Sequence, residues 1–256
     1  MALSYLSSAS LTGFQDATPT FRIFIVDATV PQDFLVIDKT GSGDTTKKFT
    51  ASKRISYPIQ GRGWYQTTAD SGATYADVHI TANMASLSGE IFGIINRCIV
   101  VKQYQIVDIT ANTDAVPQKV WDNGGLATYF GVCEGLIEAS GDTFYETDHN
   151  TTPATLVIPL GNGTLSGSAI VSAVTPQAAL YTGGAYNVQY RWQYTSTVTV
   201  TTNPFSLATW TLTYNHANGD SGTATCVLQR LEAHVDFRAG GLVPFFFSGQ
   251  LSGAVA

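Results

Sequence analysis

Two stretches of this chain repeat one pattern about 56 residues apart, and the pattern is one of strands and tight turns. Residues 155–194 read TLVIPLGNGTLSGSAIVSAVTPQAALYTGGAYNVQYRWQY, and residues 211–250 read TLTYNHANGDSGTATCVLQRLEAHVDFRAGGLVPFFFSGQ. Thr155-Leu156 matches Thr211-Leu212 and Asn162-Gly163 matches Asn218-Gly219, both at an offset of 56. Gly167 pairs with Gly222 at 55, and Gly183-Gly184 with Gly240-Gly241 at 57. Asn-Gly supplies the positive φ angles of a two-residue hairpin, and Gly-Gly does the same at the second turn. Each copy therefore reads as a three-stranded meander. Such a unit cannot bury one face alone, so the copies are expected to pack against shared partners.

The rest of the chain agrees. Among 256 residues there are 33 Thr, 19 Ser, 24 Gly, 12 Tyr and 13 Phe, which suit pleated strands and turns better than helices. Charged residues are only 12%, against about 25% in an ordinary soluble domain. Further strands are predicted over 21–28, 34–38, 55–59, 75–81, 87–95, 99–110 and 126–137, with Gly61-Arg62-Gly63 read as a turn. Asp114–Trp121, with Pro117 near its start, and Met84–Leu87 are the stretches that could hold helix. The fold class expected is all-β, a sandwich or barrel with at most one short helix.

A weaker repeat lies upstream: Ile80-Thr81-Ala82-Asn83 recurs as Ile109-Thr110-Ala111-Asn112, followed by 87–93 and 129–135. On this reading the chain holds two versions of one module. Residues 99–197 form a contiguous copy, 1–98 the first half of a split copy, and 198–256 the meander that completes it.

Little in the sequence carries chemistry. Net charge is −6, which argues against duplex binding through counterion release. Cys98, Cys133 and Cys226 form no CxxC pair and read as buried thiols. His79, His149, His216 and His234 are scattered, and no GxSxG elbow accompanies them. His234 and Asp236 share a strand face as a conceivable metal pair, with an exposed polar face as the plainer reading. Asp142, Glu146, Asp148 and His149 lack calcium-loop ordering. Trp64-Tyr65, Trp121, Trp192 and Trp210 could make a sugar-stacking platform, although the Tyr190–Trp192–Tyr194 stripe reads as core or interface. No catalytic, cofactor-binding or metal residues are assigned, and no enzyme activity is expected. The N-terminus resembles no signal peptide and no run of about 18 apolar residues occurs. A soluble protein made in the cytoplasm, with no membrane partner, is therefore expected.

The stretch 102–197 resembles the tail tube proteins of long-tailed bacteriophages. The residues that carry the likeness are Ile106–Asn112, Trp121, Tyr129-Phe130-Gly131-Val132-Cys133-Glu134-Gly135, Ala154–Ile158, Leu165-Ser166-Gly167-Ser168-Ala169-Ile170-Val171, Gly183-Gly184 and Tyr186–Tyr194. In the second copy Phe245–Gly253 fits the closing strand. The resemblance implies a structural virion protein that self-assembles into stacked rings. Together the rings make the hollow tail tube, which contacts other tail proteins and passes DNA through its lumen without specific binding. A duplicated module fits trimeric rings, where a single module needs hexamers. Charge or bulk at Phe246 or Trp192 is then expected to impair folding or assembly. A jelly-roll capsid or decoration protein is the second reading and a carbohydrate-binding β module the third.

Overall fold

The computed structural model describes residues 6–15, 18–68, 75–77, 85–87, 92–111, 118–138, 153–160, 163–177, 185–201, 203–207, 209–216, 218–237 and 241–253. Fifteen strands follow in chain order. The first five are β1 (Leu6–Gln15), β2 (Thr18–Thr29), β3 (Asp33–Asp38), β4 (Phe49–Thr68) and β5 (Tyr75–Asp77). Then come β6 (Ser86–Leu87), β7 (Phe92–Asp108), β8 (Trp121–Glu138), β9 (Ala154–Leu160) and β10 (Gly163–Gln177). The last are β11 (Ala185–Tyr194), β12 (Thr199–Thr201), β13 (Thr209–His216), β14 (Ser221–Asp236) and β15 (Pro244–Ser252). A 3-10 turn over Pro204–Ser206 is the one helical element among the described residues. The fold is all-β, as the composition implies.

Strands β13, β1, β2, β4, β15 and β14 pair in that order, and β13 pairs again with β14, closing a six-stranded antiparallel barrel. Alternation fills it. Phe245 and Phe247 are 0% and 3% exposed inside, whereas Phe246 between them is 37% exposed outside. Phe21, Ile23, Tyr65, Trp210 and Leu212 complete the same core. Closing the sheet on itself hides strand edges that would otherwise recruit other chains.

Strand β14 is longer than the barrel needs. Its residues up to Val227 pair with β13, and from Arg230 onward it pairs with β7 instead. The sheet then runs on through β7, β8, β11, β10, β9 and β6. Strands β2, β4, β15, β14, β7, β8, β11 and β10 thus form one continuous antiparallel sheet of eight.

The two meanders superpose in register. Leu156 faces Gly167 as Leu212 faces Ala224, and Val171 faces Trp192 as Leu228 faces Gly249. Each long strand then carries a bulge at the same place, between Val171 and Ala173 in one and between Leu228 and Arg230 in the other. The partner of Gly167 is therefore Ala224, not Gly222 as the glycine spacing suggested. The second hairpin has one residue more, with Gly219 in its turn at φ 94°, whereas Gly163 already pairs with Leu160 at the start of β10. Gly183, Gly184 and Gly240 lie outside the described residues.

The pairing orders correspond beyond the meanders. One set runs β1, β13, β14, β15, β4, β2, and the other runs β6, β9, β10, β11, β8, β7. The second is open between β6 and β7 among the described residues. The division placed at 98/99 falls inside β7. The upstream repeat finds no such correspondence, since Leu87 ends β6 and Phe92 opens β7, whereas residues 129–135 lie within β8. Its remaining members at 80–83 and Asn112 lie outside the described residues.

Gly61-Arg62-Gly63 is not a turn. These residues lie in mid-strand in β4, between β2 and β15. A Cβ on Gly63 would stand 2.2 Å from the Phe24 carbonyl oxygen, and one on Gly61 2.5 Å from that of Asp27. The glycines are there for close backbone approach. Of the two candidate helices, residues 112–117 and Met84 lie outside the described residues, while Trp121 opens β8 and Ser86–Leu87 form β6.

Candidate assembly surfaces

Three surfaces follow from this arrangement. The first is the outer face of the eight-stranded sheet. One row across it reads Asp27, Arg62, Phe246, Glu232, Val101, Phe130, Gln193, Ile170. Some of its charges are matched. Arg230 lies 2.6 Å from the Glu232 carboxylate, and Arg97 lies 3.3 Å from Asp236 and 3.7 Å from Glu134. Burial pushes the Glu232 carboxyl up, but hydrogen bonds from His234 and Arg230 outweigh it and hold the group below its ordinary value. A shallow open groove of about 390 Å³ runs past Asp27, Arg62, Arg230 and Phe246.

The second surface is a pair of two-stranded ribbons. Among the described residues strand β3 pairs only with the first part of β4, from Asp33 opposite Ser56 to Asp38 opposite Phe49, and all six of its residues are exposed. Phe34, Leu35, Val36, Ile37 and Phe49 thus present apolar side chains to solvent, Leu35 at 67% exposure. Beyond Gln103 and Thr128, β7 and β8 pair only with each other among the described residues and expose Val107 and Leu126. The tip of the β7–β8 ribbon meets the base of the β3–β4 ribbon. The Lys119 amide donates to the Ile55 carbonyl at 2.9 Å, and the Arg54 guanidinium to that of Ala111 at 2.7 Å. Contiguous exposed apolar surface of this kind marks interaction sites.

The third surface consists of two free strand edges. Residues 25–29 of β2 pair with β4 on one side and, beyond Phe24, with no strand on the other among the described residues. Residues 170–177 of β10 pair with β11 on one side and, beyond Ala169, with no strand on the other among the described residues. These edges lie at opposite ends of the eight-stranded sheet.

The residues singled out in the sequence fall as follows. Tyr190, Trp192 and Tyr194 are all core, with Trp192 and Tyr194 edge to face at 5.0 Å. Trp210 is buried and Trp64 partly exposed, so these side chains form no common platform. His234 Nε2 lies 2.5 Å from Glu232 and Asp236 pairs with Arg97, so the two residues of the supposed metal pair go to different partners. No cluster of three metal-binding side chains occurs among the described residues. Cys98, Cys133 and Cys226 are buried free cysteines. Ser166-Gly167-Ser168 pairs with β9 as ordinary strand. His79, Asp142, Glu146, Asp148 and His149 lie outside the described residues.

Lys102 gave no signal in the sequence. It is 3% exposed, its ammonium donates to the Phe205 and Leu207 carbonyls, and it sits over the Tyr104 and Tyr129 rings at 4.4 and 5.3 Å. The Tyr104 and Tyr129 hydroxyls donate to the same two carbonyls. Burial pulls the Lys102 amine down to about 7. Together these groups latch the segment joining the two meanders onto β7 and β8. No protein family, curated protein or solved structure matches this chain.

Proposed function

We propose that this chain is a structural subunit that assembles edge to edge into rings and stacks the rings into a hollow tube, as a tail tube protein of a long-tailed bacteriophage does. The observation that carries the reading is the pair of free edges on β2 and β10. The sheet between them is strictly antiparallel and has an even number of strands. β2 and β10 therefore run in opposite directions, so the β2 edge of one copy meets the β10 edge of the next as another antiparallel pair. Such a head-to-tail contact generates a ring when its rotation closes.

The ring has a preferred inside. Strands β1, β13, β9 and β6 and the cores beneath them lie on one side of the sheet, and placing them inward would plug the bore. On the other face Arg97 and Arg230 are held by carboxylates, which reduces the positive charge offered to DNA phosphates. The exposed ribbon of β3 and β4 supplies an axial contact between rings. Serial connection of β13, β14 and β15 as neighbours favours this reading over a jelly roll built from Greek keys.

Negative-stain electron microscopy of the purified protein at high concentration tests the proposal. Hollow tubes with a regular axial repeat are expected. Closed shells would favour a capsid role, and monomers that bind glycan saturably would favour the carbohydrate reading.

A further inference from the structure

Among the buried groups that assembly does not use, Cys98 and Cys133 stand out. They are direct partners across the β7–β8 ladder. Both side chains point to the same interior, both are 0% exposed, and their sulfur atoms lie 2.6 Å apart. Directly opposed antiparallel residues have Cα atoms about 4.5–5.5 Å apart, within the range of about 4.4–6.8 Å that a disulfide spans. The Tyr190 hydroxyl is the polar neighbour of Cys133, and Cys226 lies elsewhere, opposite Trp210 and Leu251 in the barrel.

We infer that Cys98 and Cys133 are a cross-strand oxidation site, which a small-molecule disulfide converts into an internal disulfide joining β7 to β8. Each cysteine loses one proton and one electron, the Sγ–Sγ bond forms, and the oxidant, a low-molecular-weight disulfide such as oxidised glutathione, is reduced to two thiols. Cys98 lies opposite Val235 of β14, so the bond fastens β8 to the strand that joins the second sheet to the barrel. Burial raises the Cys98 thiol well above its ordinary range. Attack requires the thiolate, so the reaction belongs to the stage before the hairpin is packed.

The test refolds the full chain from denaturant with oxidised glutathione or with excess reductant, then alkylates it under denaturing conditions. One alkylated cysteine, Cys226, is expected after oxidation and three after reduction, with a Cys98–Cys133 peptide in the non-reducing digest. The oxidised chain is expected to melt about 5–15 °C higher. The Cys226→Ala variant should give the same linkage with no free thiol left. Three alkylated cysteines after oxidation, stable glutathione adducts on Cys98 or Cys133, or a linkage through Cys226 would each overturn the inference.

Discussion

Trp192 and Phe246 are large aromatics on paired-strand faces, yet burial gives them opposite consequences. Trp192 is enclosed, and a Cβ on Gly131 would come within 1.9 Å of the Ile99 carbonyl oxygen and 2.8 Å of the Trp192 ring, so Gly131 admits both the neighbouring backbone and the ring. Trp192→Ala should cost about 3–5 kcal/mol, read as a lower urea midpoint. Phe246 lies over the His234 ring on the outer face of the sheet. Phe246→Asp should change stability by no more than about 1 kcal/mol. With that face on the bore, and in revision of the expectation from sequence that charge here impairs folding or assembly, electron micrographs should still show tubes, and their loss would place Phe246 in a subunit contact.

Lys102 makes a prediction about pH. Its pKa of about 7 in the folded chain lies below the ordinary lysine value of 10.5. Between these values the unfolded chain binds the extra proton, so stability rises as pH increases from about 7 towards the lysine range. The favourable contribution is lost as pH falls through about 7. Burial raises the Tyr104 and Tyr129 hydroxyls, so they stay neutral across the window. Lys102→Met should flatten this slope, measured by urea unfolding at several pH values, and the tyrosine hydroxyls would keep the two carbonyls bonded.

At the scale of elements, most strands were legible and their partners were not; β1 went unread and β4 was broken at Gly61-Arg62-Gly63. Alternation and β-branched residues mark β2, β11 and β14 in the sequence, because each has one wet and one dry face. Mid-strand glycines misled for a physical reason: Gly61 and Gly63 answer to neighbouring backbones that are distant in sequence. Repeat spacing located both meanders but misaligned Gly167, since register is set by cross-strand pairing and by matching bulges at Ser172 and Gln229, residues with no common identity. The candidate surfaces were the least legible. An edge is free only relative to where other strands stop, and the exposure of β3 depends on what fails to cover Phe34–Ile37. Lysine on an open edge discourages pairing with another strand. Val26→Lys and Ala173→Lys, one on each edge, should therefore leave each monomer within about 0.5 kcal/mol of the parent and abolish ring formation, as judged by sedimentation. Leu35→Asp acts on the other contact and should leave rings that no longer stack, visible as isolated discs.

For the whole molecule, strand number fixes the size of ring that can serve as a conduit. Neighbouring strands lie about 4.8 Å apart, so eight strands contribute about 38 Å of circumference. Two copies would close a ring about 24 Å across between backbones, which side chains on the inner face would largely fill. Three copies give about 37 Å, and strand tilt widens it further. The matching pairing orders supply six similar units in three chains, so the ring should look nearly six-fold while its true symmetry is three-fold. Native mass spectrometry of the smallest assembled species is expected to show three chains, and end-on class averages six similar lobes alternating between two kinds. Six chains per ring would mean that the two pairing orders are not used as equivalent wall segments. The circumference would then double, and the bore would be far wider than a single duplex needs.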